Sequence, residues 1–146
     1  MQQVSFRHMD EGTPADYALL NRLEDEFVAA LPERILAALE GLEQSLAGYQ
    51  ISRLEHSLQS ATRAERDGAD VEMIVGALIH DLGDDLAPLN HSQLAASIIR
   101  PYVRGEVAWV IEHHGVFQMY YYGDAMGVDK NAREIYSGHQ WFDSCE

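Results

Sequence analysis

A run of aliphatic residues, Val71, Met73, Ile74, Val75, Leu78 and Ile79, leads directly into His80-Asp81-Leu82-Gly83. The run demands burial, so any fold of this chain must bring an imidazole and a carboxylate to the edge of its core. Two ionisable groups are costly there unless they are compensated, and a metal ion satisfies both at once. A His-Asp doublet alone arises often by chance. Its meaning depends on which other histidines the fold can bring beside it.

The rest of the chain reads as helices. Thr13-Pro14 is an N-cap followed by a first-turn proline, and Leu19, Leu20, Leu23, Phe27 and Leu31 follow at helical spacing. Pro32 ends that helix and starts a second, with Ile35, Leu36, Leu39, Leu42 and Leu46 as its stripe. Two amphipathic helices packing on the rest of the domain are expected, with a partner-binding or dimerising hairpin as the alternative. Residues 1–12 read as a poorly ordered leader. A helix from Ile51 to Asp67, with Gly68 as C-cap, sets His56, Gln59 and Ser60 on a face adjacent to Leu54, Leu58 and Ala61. The next begins at Asp70 and ends at Gly83. After the loop Asp84 to Asn90, another runs from His91 to Arg100.

From Val103 onward, Val107, Val110, Ile111 and His114 share one helical face, whereas His113 sides with Trp109 and Glu106. His114 is therefore the inward histidine of the adjacent pair. Gly115 reads as that helix's cap. Phe117, Met119, Tyr120, Tyr121 and Tyr122 read as an aromatic core cluster, a substrate wall being the other reading. A short helix from Asp129 to Tyr136 follows. No strand alternation, repeat or phosphate-cradling glycine loop is present, so the fold class is all-α. Residues 1–48 form a leader and helical hairpin packing on the core, and 49–146 the main domain.

Charge and cysteine content narrow the function. A net charge of -14 argues against nucleic acid or an anionic membrane as partner. No apolar run reaches the roughly 20 residues of a membrane span, and the N-terminus lacks a signal peptide's basic-then-apolar order. A cytoplasmic protein is expected. The lone Cys145 has no internal disulfide partner, and its place one residue from the chain end speaks against a catalytic thiol.

His56, His80, His91 and His114 thus fall where helices can converge, with Asp81 beside the second. Each alone reads as an ordinary core or surface histidine. Jointly, four of seven histidines would have to fall in place by accident. Two histidines and a carboxylate with open positions suit a redox iron, and four histidines with a bridging carboxylate suit a pair of metals. The lack of further cysteines disfavours a zinc-thiolate site. His8 and His139 stand outside this set.

This order of residues, His56 in Leu-Glu-His-Ser-Leu-Gln, then His80-Asp81-Leu82-Gly83, His91 and His114, resembles the HD-domain superfamily. It is most similar to the mixed-valent diiron oxygenases of that superfamily, which include organophosphonate-cleaving oxygenases and, more distantly, myo-inositol oxygenase. The resemblance covers roughly Tyr49 to Cys145 and implies an HD-domain helical bundle with two extra N-terminal helices. It implies two iron ions, other divalent metals being possible: one held by His56, His80 and a late aspartate, the other by His91 and His114, with Asp81 bridging. Asp143, in Trp-Phe-Asp, is the candidate for the late ligand, with Asp129 and Asp124 behind it. In relatives that ligand often sits in a Trp-Asp pair on a last long helix, before which a truncated chain would stop.

Two departures bear on substrate. Asp84 stands where the phosphonate and inositol enzymes usually carry His or Lys, and a carboxylate there would repel a phosphonate and favour an amine or hydroxyl donor. Tyr49 takes the approximate place of a glutamate. The implied activity is oxidative cleavage of a small hydroxylated or amino-alcohol substrate by dioxygen, with His80 and Asp81 at the catalytic centre and Glu55 and Gln59 orienting ligand histidines. A metal-dependent phosphohydrolase and a catalytically inactive helical binding module are the alternatives. The hydrolase needs cationic help for phosphate, which only Arg53, Arg63, Arg66, Arg100 and Arg104 could give near the motif.

Overall fold

A computed structural model describes residues 2–146. Seven α-helices follow one another: α1 (Pro14–Ala29), α2 (Leu31–Gly41), α3 (Arg53–Arg66), α4 (Val71–Ile79), α5 (His91–Ile99), α6 (Gly105–Met126) and α7 (Phe142–Cys145). Short 3-10 turns occupy Met9–Glu11, Leu42–Gln44 and Ala132–Tyr136, and no strand occurs among the described residues. The protein is all-α, as its periodicity requires. None of the described helices is long and apolar enough to cross a membrane. The chain divides into two compact units, Met1–Ala38 and Leu39–Glu146.

In the first unit, Thr13 caps α1 as expected. Its Oγ1 accepts the Asp16 N–H at 3.3 Å while the Asp16 carboxylate accepts the Thr13 N–H at 3.0 Å, a reciprocal capping box. The same carboxylate accepts the backbone N–H of Ser5 at 2.8 Å and its hydroxyl at 3.1 Å. The segment before α1 is therefore tied to the helix start, where the sequence led us to expect a loose leader. These donors, the Thr13 hydroxyl foremost, hold the Asp16 carboxyl at about 2. At the α1–α2 corner the Arg34 guanidinium lies 3.7 Å over the Phe27 ring and donates to the Phe27 carbonyl at 2.7 Å. The expected apolar stripes are only partly covered, for Phe27, Val28 and Leu36 are exposed, whereas Leu39 and Leu42 are buried.

The second unit is built on α6. Helix α3 packs on α4, while α4 and α5 both pack on α6. Small residues set these distances. A Cβ on Gly76 of α4 would lie 2.9 Å from Val107 Cγ1, and Ala95 and Ala96 of α5 join Val107 and Ile111 of α6 in one core cluster against Met73 and Val103. Arg104 pins the ends of α4 and α6 together: its guanidinium meets Asp70 at 2.7 Å and Glu106 at 2.9 Å, and its N–H donates to Glu72 at 2.8 Å.

Gly115 does not cap α6. The helix runs on to Met126 and ends at Gly127, whose φ of 72° is the left-handed geometry a C-cap needs. A mid-helix glycine costs about 1 kcal/mol relative to alanine, but α5 crosses here, and a Cβ on Gly115 would approach Ser92 Oγ to 3.2 Å. The aromatic cluster accordingly rides on the second half of α6. Phe117 is core, but Tyr120, Tyr121 and Tyr122 are exposed, so the core reading fails for the tyrosines.

Gly83 sets the start of α5. A Cβ there would lie 2.7 Å from the His91 carbonyl oxygen and 2.9 Å from His91 Cα, both backbone atoms that cannot rotate away. Gly83→Ala is expected to cost roughly 1–3 kcal/mol in urea denaturation, as overpacking does. Gly138→Ala, where a Cβ meets nothing within 4 Å, is the control. Equal midpoint shifts for the two variants would contradict the close approach.

Candidate metal centre

Two helix stripes end in histidines. On α4 and its C-cap, Met73, Gly76 and His80 line the side toward α6; on α6, Val107, Ile111 and His114 continue that side. Each histidine is locked by a backbone acceptor three residues earlier. His80 Nδ1–H donates to the Ala77 carbonyl at 2.7 Å, and His114 Nδ1–H to the Ile111 carbonyl at 2.7 Å. A carbonyl can only accept, so both rings are fixed with Nε2 facing the centre. His56 arrives from the start of α3 and His91 from the first position of α5.

Asp81 stands between them, its side chain 5% exposed. Its Oδ2 lies 3.2 Å from His80 Nε2 and 3.5 Å from His56 Nε2; its Oδ1 lies 3.3 Å from His114 Nε2 and 3.5 Å from His91 Nε2. Within each pair the ring nitrogens are 3.1 Å apart for His56 and His80, and 3.2 Å apart for His91 and His114. One carboxylate therefore joins two three-donor groups, His56–His80–Asp81 and Asp81–His91–His114.

These separations fit metal binding. Donors about 2.1 Å from one ion are about 3.0 Å apart at octahedral corners and about 3.4 Å at tetrahedral ones. Nitrogen lone pairs facing one another repel unless a cation lies between them. The electrostatics agree. Burial, the strongest influence on Asp81, pushes its carboxyl up, but hydrogen bonds to His114 and His80 and their charges prevail and hold it far below the usual carboxylate range. His56 is pushed down, first by burial and then by its neighbour His80, and so is neutral and able to donate its lone pair. His80 is pushed down by burial, but the hydrogen bond and charge of Asp81 outweigh this and raise it.

The other sequence candidates fall differently. Asp143 is exposed on α7 and belongs to neither donor group. Asp124 pairs with Lys130 at 2.7 Å, and Asp129 accepts the Asn131 N–H at 2.8 Å. Among the described residues, none of these three aspartates joins the two donor groups. Glu55 and Gln59 meet each other at 3.5 Å and, among the described residues, make no hydrogen bond to a cluster histidine. The orienting groups are instead the Ala77 and Ile111 carbonyls, which no side-chain pattern announces. Tyr49 is exposed, with the Arg53 guanidinium 4.9 Å over its ring.

Arg53 was undervalued from sequence. On the first turn of α3, three residues before His56 and so on its face, it carries its guanidinium to the cluster: Nη1 is 3.5 Å from Asp81 Oδ2 and Nε 2.9 Å from Asp84 Oδ2. Asp84 also meets His91 Nδ1 at 3.3 Å. Burial and the neighbouring Asp81 charge push the Asp84 carboxyl up, against the pull of Arg53.

His113 takes no part in the cluster. It stacks on Trp109 with ring centroids 4.3 Å apart, and His139 stacks on Trp109 with the same centroid spacing at 4°. This stack seats the segment before α7 on α6. Burial pushes the Cys145 thiol up to about 12, which leaves it protonated and unsuited to nucleophilic work. A cavity of about 460 Å³ runs along the start of α5 and the middle of α6, bordered by Asn90, His91, Ser92, His113, Met119 and Tyr122.

Two outcomes are expected by elemental analysis of purified protein. His114→Ala lowers metal content far more than His113→Ala, and equal losses would contradict the placement of the two rings. Metal affinity also falls with acidity. His80, raised above the ordinary imidazole range by Asp81, must give up a proton before its Nε2 can bind, so binding strengthens as pH rises through that raised value and weakens below it. Affinity unchanged between pH 5.5 and 8.5 would place the metal elsewhere.

Comparison with known proteins agrees with this geometry. The chain is 29% identical over 106 residues, or 65% of its length, to [1-hydroxy-2-(trimethylamino)ethyl]phosphonate dioxygenase (glycine-betaine-forming) of Leisingera caerulea. It spans about half of that relative, 51%. Residues 53–136, which include all four cluster histidines, Asp81 and Arg53, match the HD domain. A histidine-aspartate cluster on an all-α scaffold, matched over more than half of the chain, places this protein in the HD-domain family.

Proposed function

We propose that this chain is a metal-dependent HD-domain enzyme acting as a non-haem diiron oxygenase on a small hydroxylated or amino-alcohol substrate. The observation that carries the reading is the division of Asp81: each of its oxygens faces a separate pair of histidine Nε2 atoms, which supports two metal ions bridged by one carboxylate. The likeness to a phosphonate dioxygenase favours iron and dioxygen over hydrolysis.

His56, His80 and Asp81 would hold one iron, and Asp81, His91 and His114 the other. Bound iron supplies the redox chemistry that activates dioxygen for oxidation of a substrate carbon. The chain's own contribution is geometric and electrostatic. The Ala77 and Ile111 carbonyls fix two rings by their Nδ1–H, so that both present Nε2 to the ionised Asp81. His56, its side chain 35% exposed, and His91, at 25%, form the accessible rim, while His80 and His114 are shielded. The small substrate would therefore approach from the His56 and His91 side.

A metal-dependent phosphohydrolase is the second reading, and Arg53 favours it by supplying the cation that a phosphate requires beside the metals. Anaerobic iron loading with electron paramagnetic resonance, followed by oxygen uptake on hydroxylated substrates, separates the two. A coupled mixed-valent diiron signal with substrate-dependent oxygen uptake is expected. Phosphate release from a generic phosphoester without oxygen uptake would establish the hydrolase instead, and protein that binds no metal would sink both.

A further inference from the structure

We infer that this chain forms a two-fold dimer in which the acidic α1–α2 hairpin of each copy packs on the outer face of α3 of the other. Apolar side chains meet at the centre of each contact, and carboxylates meet Arg63 and Arg66 at its edge. The inference is independent of the reaction performed at the metal centre.

The hairpin presents an uncovered amphipathic face. Along α1, Leu23, Phe27 and Val28 follow at three- and four-residue steps and share a side with Glu24. Every residue from 21 to 30 is exposed, Phe27 at 63%, and Leu36 of α2 adds another exposed apolar side chain. Apolar side chains gathered on one exposed helix side mark a surface that another element covers. The hairpin is also acidic. Helix α1 carries Asp16, Glu24, Asp25 and Glu26 against Arg22 alone, and α2 carries Glu33 and Glu40 against Arg34. Both arginines are engaged within their own unit, Arg22 with Gln2 Oε1 and Arg34 on the Phe27 ring.

The outer face of α3 is the complement. Leu58, Gln59, Thr62, Arg63 and Arg66 form a stripe of the same spacing and line a shallow groove of about 370 Å³. Leu58 is 50% exposed. Glu55 lies at one end of the stripe, where Gln59 meets it at 3.5 Å, and the two arginines dominate the other end. Unpaired cations are scarce in a protein of net charge -14. Arg53, Arg100, Arg104, Lys130 and Arg133 each lie within 2.9 Å of a carboxylate. Arg63 and Arg66 are exposed and have no carboxylate partner among the described residues.

Charge selects the occupant. Hairpin against hairpin would set carboxylates against carboxylates, whereas hairpin against α3 sets them against the unpaired arginines. A second copy carries both faces, so a two-fold axis makes the same contact twice. Together the two contacts can supply the roughly 800 Å² per partner of a stable interface.

The test is sedimentation equilibrium of the full chain in a series from about 1 to about 100 μM. The parent is expected to dimerise, and the dimer to weaken as salt rises. Glu24→Arg/Asp25→Arg and Arg63→Glu/Arg66→Glu are each expected to raise the dissociation constant roughly 10- to 100-fold with unchanged helical circular dichroism. An equimolar mixture of the two variants should regain the parent's dimer, because each reversed face then meets its opposite in both contacts. A monomeric parent would overturn the proposal, the two faces then being closed within one chain or by another protein. So would an Arg63→Glu/Arg66→Glu variant that dimerises as the parent does, which marks hairpin-to-hairpin pairing. A mixture that stays monomeric would overturn it as well.

Discussion

Everything in the second unit converges on the Asp81 carboxylate. Buried at the end of an aliphatic helix, it can remain ionised only because histidines from α3, α4, α5 and α6 surround it. A buried carboxylate without such partners would take up a proton and lose the charge that both histidine pairs face. The scaffold therefore has to bring four helices to one point within hydrogen-bonding range. The small residues Gly76, Gly83, Ala95, Ala96 and Gly115 serve that requirement by letting backbones approach.

Ring orientation follows from the same scaffold. His80 and His114 each fall three residues after a carbonyl that their Nδ1–H can reach, so helix geometry itself fixes the tautomer. His113, one position earlier on α6, is turned by about 100° on a helix and meets Trp109 instead. There it helps to seat the C-terminal segment through the His113–Trp109–His139 stack. The two neighbouring histidines thus divide the work of the helix, one toward the metal centre and one toward packing.

The electrostatic plan differs from a simple cluster of acids. The chain is strongly acidic, yet the residues nearest the centre are balanced: Asp81 against its imidazoles, Asp84 against Arg53. Neither aspartate stands free. The first is suited to bridge metals, and the second pairs with an arginine that also reaches Asp81.

Local periodicity made much of this legible. The 3.6-residue repeat placed His114 and not His113 on the apolar face of α6, the doublet His80-Asp81 marked the buried charge, and Thr13, Gly68 and Asp70 marked helix ends, because caps and stripes are interactions between residues close in sequence. Gly115 misled for the same reason: locally it is a stop signal, and only the crossing of α5 at Ser92 explains why it lies mid-helix. The Ala77 and Ile111 carbonyls could not be read, since every residue has a carbonyl and the ring rotamer that reaches the one three residues earlier is chosen by the groups packed around the imidazole. Nor could the Arg53–Asp84 pair, formed across 31 positions of sequence by the packing of α3 beside the turn after α4. Residue pattern was enough to specify an all-α chain with its histidines at helix positions able to converge. The tertiary structure alone decided which oxygens and nitrogens meet, because distances of about 3 Å depend on how closely helix backbones pack.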